Sequence, residues 1–166
     1  MRDRSVRKIA YLGLFAALAI IFGYIDSLIP MPFAGMKLGI ANLVTIVILY
    51  IWSWREASLI SLVRILVCGF LFGSMQSILY SLAGAVLSML VMILIKKIPG
   101  FSITGVSIAG GVSHNIGQIL VAMAVVENFG LLFYLPILLV AGAITGCVIG
   151  IVGGLVQVRV EKIIKR

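Results

Sequence analysis

The chain has 166 residues, 63% of them hydrophobic, with a mean hydropathy of +1.27 and a formal net charge of +8. Only 11% of its residues are charged, too few to coat a water-soluble domain, so that class is excluded. The composition predicts an all-α integral membrane protein, a single domain over residues 1–166.

Six apolar runs follow one another, at 9–25, 38–52, 57–73, 75–95, 106–126 and 131–156. None shows the alternation of a membrane barrel strand, and helices are the other way to satisfy every backbone group in lipid. About 20 residues at ~1.5 Å per residue cross a ~30 Å hydrocarbon core. The second and third runs are short for that and read as tilted or partly re-entrant segments. The opening MRDRSVRK has the basic character of a signal peptide's start. Its apolar run ends at Asp26 and two prolines with no small-residue cleavage site, so it reads as the first helix.

Lys and Arg orient the runs. With the N-terminus inside, the inner side collects Arg2, Arg4, Arg7, Lys8, Arg55, Lys96, Lys97, Arg159, Lys162, Lys165 and Arg166. The outer side keeps Lys37, and Arg64 falls within a span. Eleven of the 13 cations on one face predict six transmembrane helices with N- and C-termini cytoplasmic. Topology and attraction to anionic inner-leaflet lipid account for the net charge, and no nucleic-acid partner is expected. Cys68 and Cys147 lie at lipid depth in separate spans, where neither a disulfide framework nor a metal site is expected.

Polar residues at membrane depth carry the most information. Arg64 stands about eight residues from either end of its run, or ~12 Å of helix each way, too far to snorkel easily. It is either a structural arginine bonded to carbonyls or to an acid such as Asp26 or Glu127, or an anion-binding one. The fifth run holds Ser113, His114, Asn115 and Gln118, with His114 and Gln118 on one helix face. That patch serves either interhelical packing or a ligand. Lys37 and Asn42 open the second run and Gln76 the fourth. If these helices converge, Lys37, Asn42, Arg64, Gln76, His114, Asn115 and Gln118 line an outward-opening, positive, donor-rich site.

Small residues mark close approaches of helices. Gly142, Gly146, Gly150 and Gly154 recur every four positions in the sixth run, and Gly13 with Ala17 repeats the spacing in the first. Such stripes serve packing within the bundle or the docking of another membrane subunit. Catalytic chemistry is missing: there is no Walker A loop, and Asp3, Asp26, Glu56, Glu127 and Glu161 are too scattered to pair for acid–base work or Mg²⁺. The chain is therefore expected to be neither a self-sufficient enzyme nor a cofactor protein, and its apolar surface is expected to meet membrane lipid.

The opening RKIAYLGLFAALAIIFGYIDSLIPMPF resembles that of substrate-binding S components of energy-coupling factor (ECF) transporters. KLGIANLVTI at 37–46, SLVRILVCGFLFG around Arg64, YSLAGAVLS at 80–88 and GVSIAGGVSHNIGQ at 105–118 resemble the Gx transporter family. That family is also labelled heptaprenyl diphosphate synthase component I, and the resemblance covers essentially the whole chain. It implies a six-helix S-component-like bundle in the bacterial cytoplasmic membrane, with an outward site capped by the first outer loop, here 26–37. It further implies docking onto a T subunit that carries two cytoplasmic ATPases. In S components an AxxxA motif on the first helix makes that contact; here Gly13 and Ala17 take the equivalent spacing, with Ala10 and Ala16 nearby. Ala10, Gly13 and Ala17, together with Gly142, Gly146 and Gly150, are the expected docking residues. The synthase label implies an accessory role, because this chain lacks the Asp-rich motifs of a prenyl synthase catalytic subunit. A stand-alone carrier is the third reading.

Overall fold

The computed structural model describes residues 2–29, 37 and 39–164, and side chains from Val6 onward. Among these residues the structure is helical without strands. Its six α-helices are α1 (Arg2–Leu28), α2 (Asn42–Ile51), α3 (Trp54–Phe72), α4 (Met75–Lys96), α5 (Ile103–Val126) and α6 (Leu135–Ile164), with a 3₁₀ turn at Phe129–Tyr134.

Local chemistry sets the boundaries. Ser53, Ser74 and Ser102 each stand in extended conformation before a helix and accept a hydrogen bond from an amide of its first turn, satisfying donors that the helix cannot. Glu127 ends α5 in the left-handed region at φ +52°, and its amide closes back onto the Met123 carbonyl.

Among the described residues four segments are long and apolar enough to cross a membrane: Val6–Leu28, Met75–Lys96, Ile103–Val126 and Phe129–Ile164. The second apolar run departs from the expectation of a crossing. Its helix has only 10 residues, about 15 Å, half the hydrocarbon thickness. Val44 to Leu49 are nevertheless all buried, because α2 is a plug. It packs among Phe15 and Ala19 of α1, Ala57 and Ile60 of α3, Met89 and Met92 of α4, and Ile149 of α6. A helix apolar on every face belongs in such a core.

α4, α5 and α6 form the most extensively packed unit, with α5 in the middle. α1 lies at the edge and, among the described elements, meets only α3 and α2. Phe15 stacks edge-on against Trp52 at 5.7 Å, and Lys8 pairs with Glu56, tying its basic end to α3. Arg7, Lys8, Arg55, Lys96 and Lys97 lie at that same end of the bundle, as the antiparallel order of the helices requires.

Candidate functional site

The site grows from the end of α1 and the segment that leads into α2. Asp26 is completely buried, and its carboxylate accepts the Gly39 amide on both oxygens, at 2.9 and 3.2 Å. Gly39 sits at φ +90°, a backbone conformation that a Cβ would strain. The space is also taken: a Cβ there would stand 3.0 Å from Asn42 Nδ2 and 3.6 Å from His114 Cδ2. Glycine therefore lets this turn press onto α5. The Asn42 amide then bonds the Gly39 carbonyl and starts α2.

Lys37 is buried on the same side and reaches α5 through its backbone, whose amide donates to Gln118 Oε1 over a long 3.5 Å. With Oε1 so used, the Gln118 amide nitrogen donates to His114 Nε2 at 3.0 Å. That assignment makes His114 the neutral, Nδ1-protonated tautomer. The imidazole packs on Gly84 of α4, where a Cβ would fall 2.8 Å from Nδ1.

Arg64 completes the cluster from α3. It is 3% exposed, and its Nε and Nη2 have no hydrogen-bond partner among the described residues. Its stem lies across Gly23 of α1, where a Cβ would stand 3.3 Å from Arg64 Cγ. Asp26, Lys37, Cys68 and His114 are within its electrostatic reach. Among the described residues the only ion pair within 4 Å is Lys8–Glu56 at the other end, so neither Asp26 nor Glu127 is a salt-bridge partner of Arg64. A direct bond from Arg64 to one of those acids, one of the alternatives for this residue, is not made; the Asp26 carboxylate bonds the Gly39 amide instead. Arg64 and Lys37 thus both lie within electrostatic reach of one buried acid, and the buried Arg64 guanidinium keeps two directional donors unpaired among the described residues. Such a charge is costly until an anion meets it.

The residues expected to meet divide into two groups. Lys37, Arg64, His114 and Gln118 converge, with Asn42 beside Gly39. Gln76 is exposed at the start of α4 and stays outside the cluster, since its helix turns Ser77 and Ser81 inward instead. Asn115 points the other way, donating to the Leu138 carbonyl of α6 at 2.6 Å, as expected of a residue one position round the helix from His114. Asp26, Gly39 and Gly84 belong to the site and were not among the expected residues; the signals were an acid at the end of an apolar run and a glycine just before Asn42. Most of the expected cap at 26–37 lies outside the described residues.

The docking expectation divides as well. Ala10, Gly13 and Ala17 are exposed, and a Cβ on Gly13 would meet nothing within 4 Å. Gly142, Gly146 and Gly150 are buried against α5. Cβ atoms there would fall 2.7 Å from the Gly111 carbonyl oxygen, 2.7 Å from Ile108 Cα and 2.5 Å from Thr104 Cα. That stripe is an internal seam, so α6 has no room there for another subunit.

A family described as heptaprenyl diphosphate synthase component I matches residues 15–156, most of the chain, and the protein belongs to that family. No curated protein and no solved structure matches it.

Proposed function

We propose that this member of the heptaprenyl diphosphate synthase component I family is a solute-binding membrane subunit, an S component that captures a small anion from outside and passes it inward with a T subunit and two ATPases. In this reading the bundle lies in the bacterial cytoplasmic membrane with its basic end facing the cytoplasm and α2 held as a plug among the crossing helices. The observation that carries the proposal is Arg64, buried with Nε and Nη2 unpaired beside Lys37 and one committed acid. A guanidinium presents parallel donors that fit a carboxylate or a phosphate oxygen pair, and Lys37 adds a second charge. Asp26 holds Gly39 and thereby the Lys37 backbone next to α5, so the segment that leads into α2 forms one wall of the site. The exposed Ala10–Gly13–Ala17 face is the surface offered to the T subunit.

The test is Arg64→Ala and Arg64→Lys in purified protein. Alanine should abolish solute binding in a folded, monodisperse variant, and lysine should restore charge without the fork and bind weakly. If Arg64→Ala fails to fold while Arg64→Lys folds and binds normally, the arginine is a structural charge and the reading falls. The family's description favours a second reading, a non-catalytic partner in heptaprenyl diphosphate synthesis. Mild-detergent pull-down separates the two: a T subunit with ATPases supports the first, a prenyl synthase subunit the second.

A further inference from the structure

A second feature lies away from the Arg64 cluster. Between α3 and α4 runs an open groove of about 310 Å³, at the low end of the ~300–1,000 Å³ usual for ligand sites. Its walls are apolar apart from Ser58 and Ser61, and its floor reaches the buried Ser61, Ile65 and Met89. One wall runs from Trp54 to Ile65 and the facing wall from Ile93 back to Leu82. Each spans twelve residues, a rise of about 16 Å, which is one leaflet of a ~30 Å hydrocarbon core. Deeper in the bilayer the helices close up, because Gly69 has no side chain and Ile78 fills its place. The groove therefore starts at the basic end of the bundle and stops near mid-membrane.

Its mouth carries an interfacial and basic signature. Trp54 is 50% exposed and lines the groove, and the Arg55 guanidinium lies 5.5 Å over its ring. The neighbouring acid does not neutralise Arg55, since Glu56 is taken by Lys8 and Ser53. Exposed Lys97 lies four residues beyond Ile93, at the end of α4 that forms the opposite wall. Trp and Arg at this depth are the side chains that mark the headgroup level. A slot of this length and apolar lining matches a single hydrocarbon chain of one leaflet.

We propose that the α3–α4 groove is a binding site for an anionic phospholipid of the leaflet at the basic end, one acyl chain lying between the helices and the headgroup phosphate meeting Arg55 and Lys97. The length of the groove selects a one-leaflet chain, and the uncompensated basic mouth selects an anionic head. Ala85, a small residue on the α4 wall, leaves the space for the chain.

The experiment equilibrates the full-length protein in detergent with equal amounts of phosphatidylglycerol and phosphatidylcholine of the same chains, and reads bound lipid by native mass spectrometry. Wild type should carry phosphatidylglycerol in preference, by roughly fivefold for each basic group engaged. Ala85→Phe, which fills the groove with an apolar ring, should lose both lipids. Arg55→Glu/Lys97→Glu, at exposed positions, should keep a bound chain and lose the preference. Equal binding of the two lipids by wild type, or an unchanged lipid load in Ala85→Phe, overturns the proposal. Should Ala85→Phe prove unstable, the charge-reversal variant decides alone: a preference that survives it rejects the site.

Discussion

α1 and α6 carry the same spacing of small residues and put it to opposite uses. On α6, Gly142, Gly146 and Gly150 let the backbone of α5 come into contact, and no side chain could be inserted without driving two helices apart. On α1, Ala10, Gly13 and Ala17 share an exposed face with Leu14, Leu18 and Ile21. The inner face of α1 is made by Phe15, Ala19, Gly23 and Asp26 instead. A small-residue stripe therefore says that a helix can be approached closely and nothing about what approaches it. Where the chain itself supplies the partner, the stripe is a seam; where it does not, the face is left for lipid or for another subunit.

The largest effect should come from breaking the seam. Gly146→Leu forces a side chain against the Ile108 backbone and the Ser107 carbonyl, which cannot rotate away. It should cost about 3 kcal/mol or more and appear as loss of monodisperse protein on size-exclusion chromatography. The matching change on α1, Gly13→Leu, meets open space and should alter stability by no more than about 0.5 kcal/mol, while reducing recovery of a partner subunit in a pull-down. Equal loss of folded protein in both variants would erase the contrast.

A smaller effect tests the polar pin beside the seam. Asn115→Ala removes the bond to the Leu138 carbonyl and should lower unfolding stability by about 1 kcal/mol, the usual range for one interhelical hydrogen bond. Solute binding should persist, because Asn115 faces α6 and not Arg64. Loss of binding without loss of stability would return Asn115 to the ligand site.

The smallest effect concerns how loosely α1 is tied. Hydrogen bonds from Lys8 first, then from Ser53, pull the Glu56 carboxyl down to about 2. A depressed acid stabilises the fold above its ordinary value near ~4.3 and loses that contribution as pH falls toward 2. Lys8 is 42% exposed, so solvent screening holds the pair to about 0.5 kcal/mol. Lys8→Met should therefore show slightly lower stability at pH 7 and a flatter decline between pH 4.5 and 2, measured by thermal unfolding. A variant with the wild-type acid profile would place the Glu56 interaction with Ser53 alone.

Much of the site was legible because lipid depth makes polarity rare. Arg64, His114 and Gln118 stood out as polar side chains in apolar runs, and all three meet. Asn115 was equally conspicuous but lies one helical position away, about 100° round the axis, and so belongs to a different interface. Asp26 read as an acid that Arg64 could bond, and nothing along the chain shows that Gly39, 13 residues on, claims its carboxylate. Gln76 carried the right chemistry on a face that α4 turns outward.

Hydropathy by itself determined that the chain is a bundle of apolar helices in a membrane, and Ser53, Ser74 and Ser102 set where α3, α4 and α5 begin. These are local properties, fixed by backbone hydrogen bonding and by the cost of charge in hydrocarbon within a single run. Packing alone decided that α2 is a buried plug and that the α6 glycines face α5 while the α1 small residues face outward. It also decided that Arg64 and Lys37 share one acid already committed to Gly39. Each of these depends on which helix stands opposite which, and that pairing is set by the fit of all the side chains together rather than by any one segment.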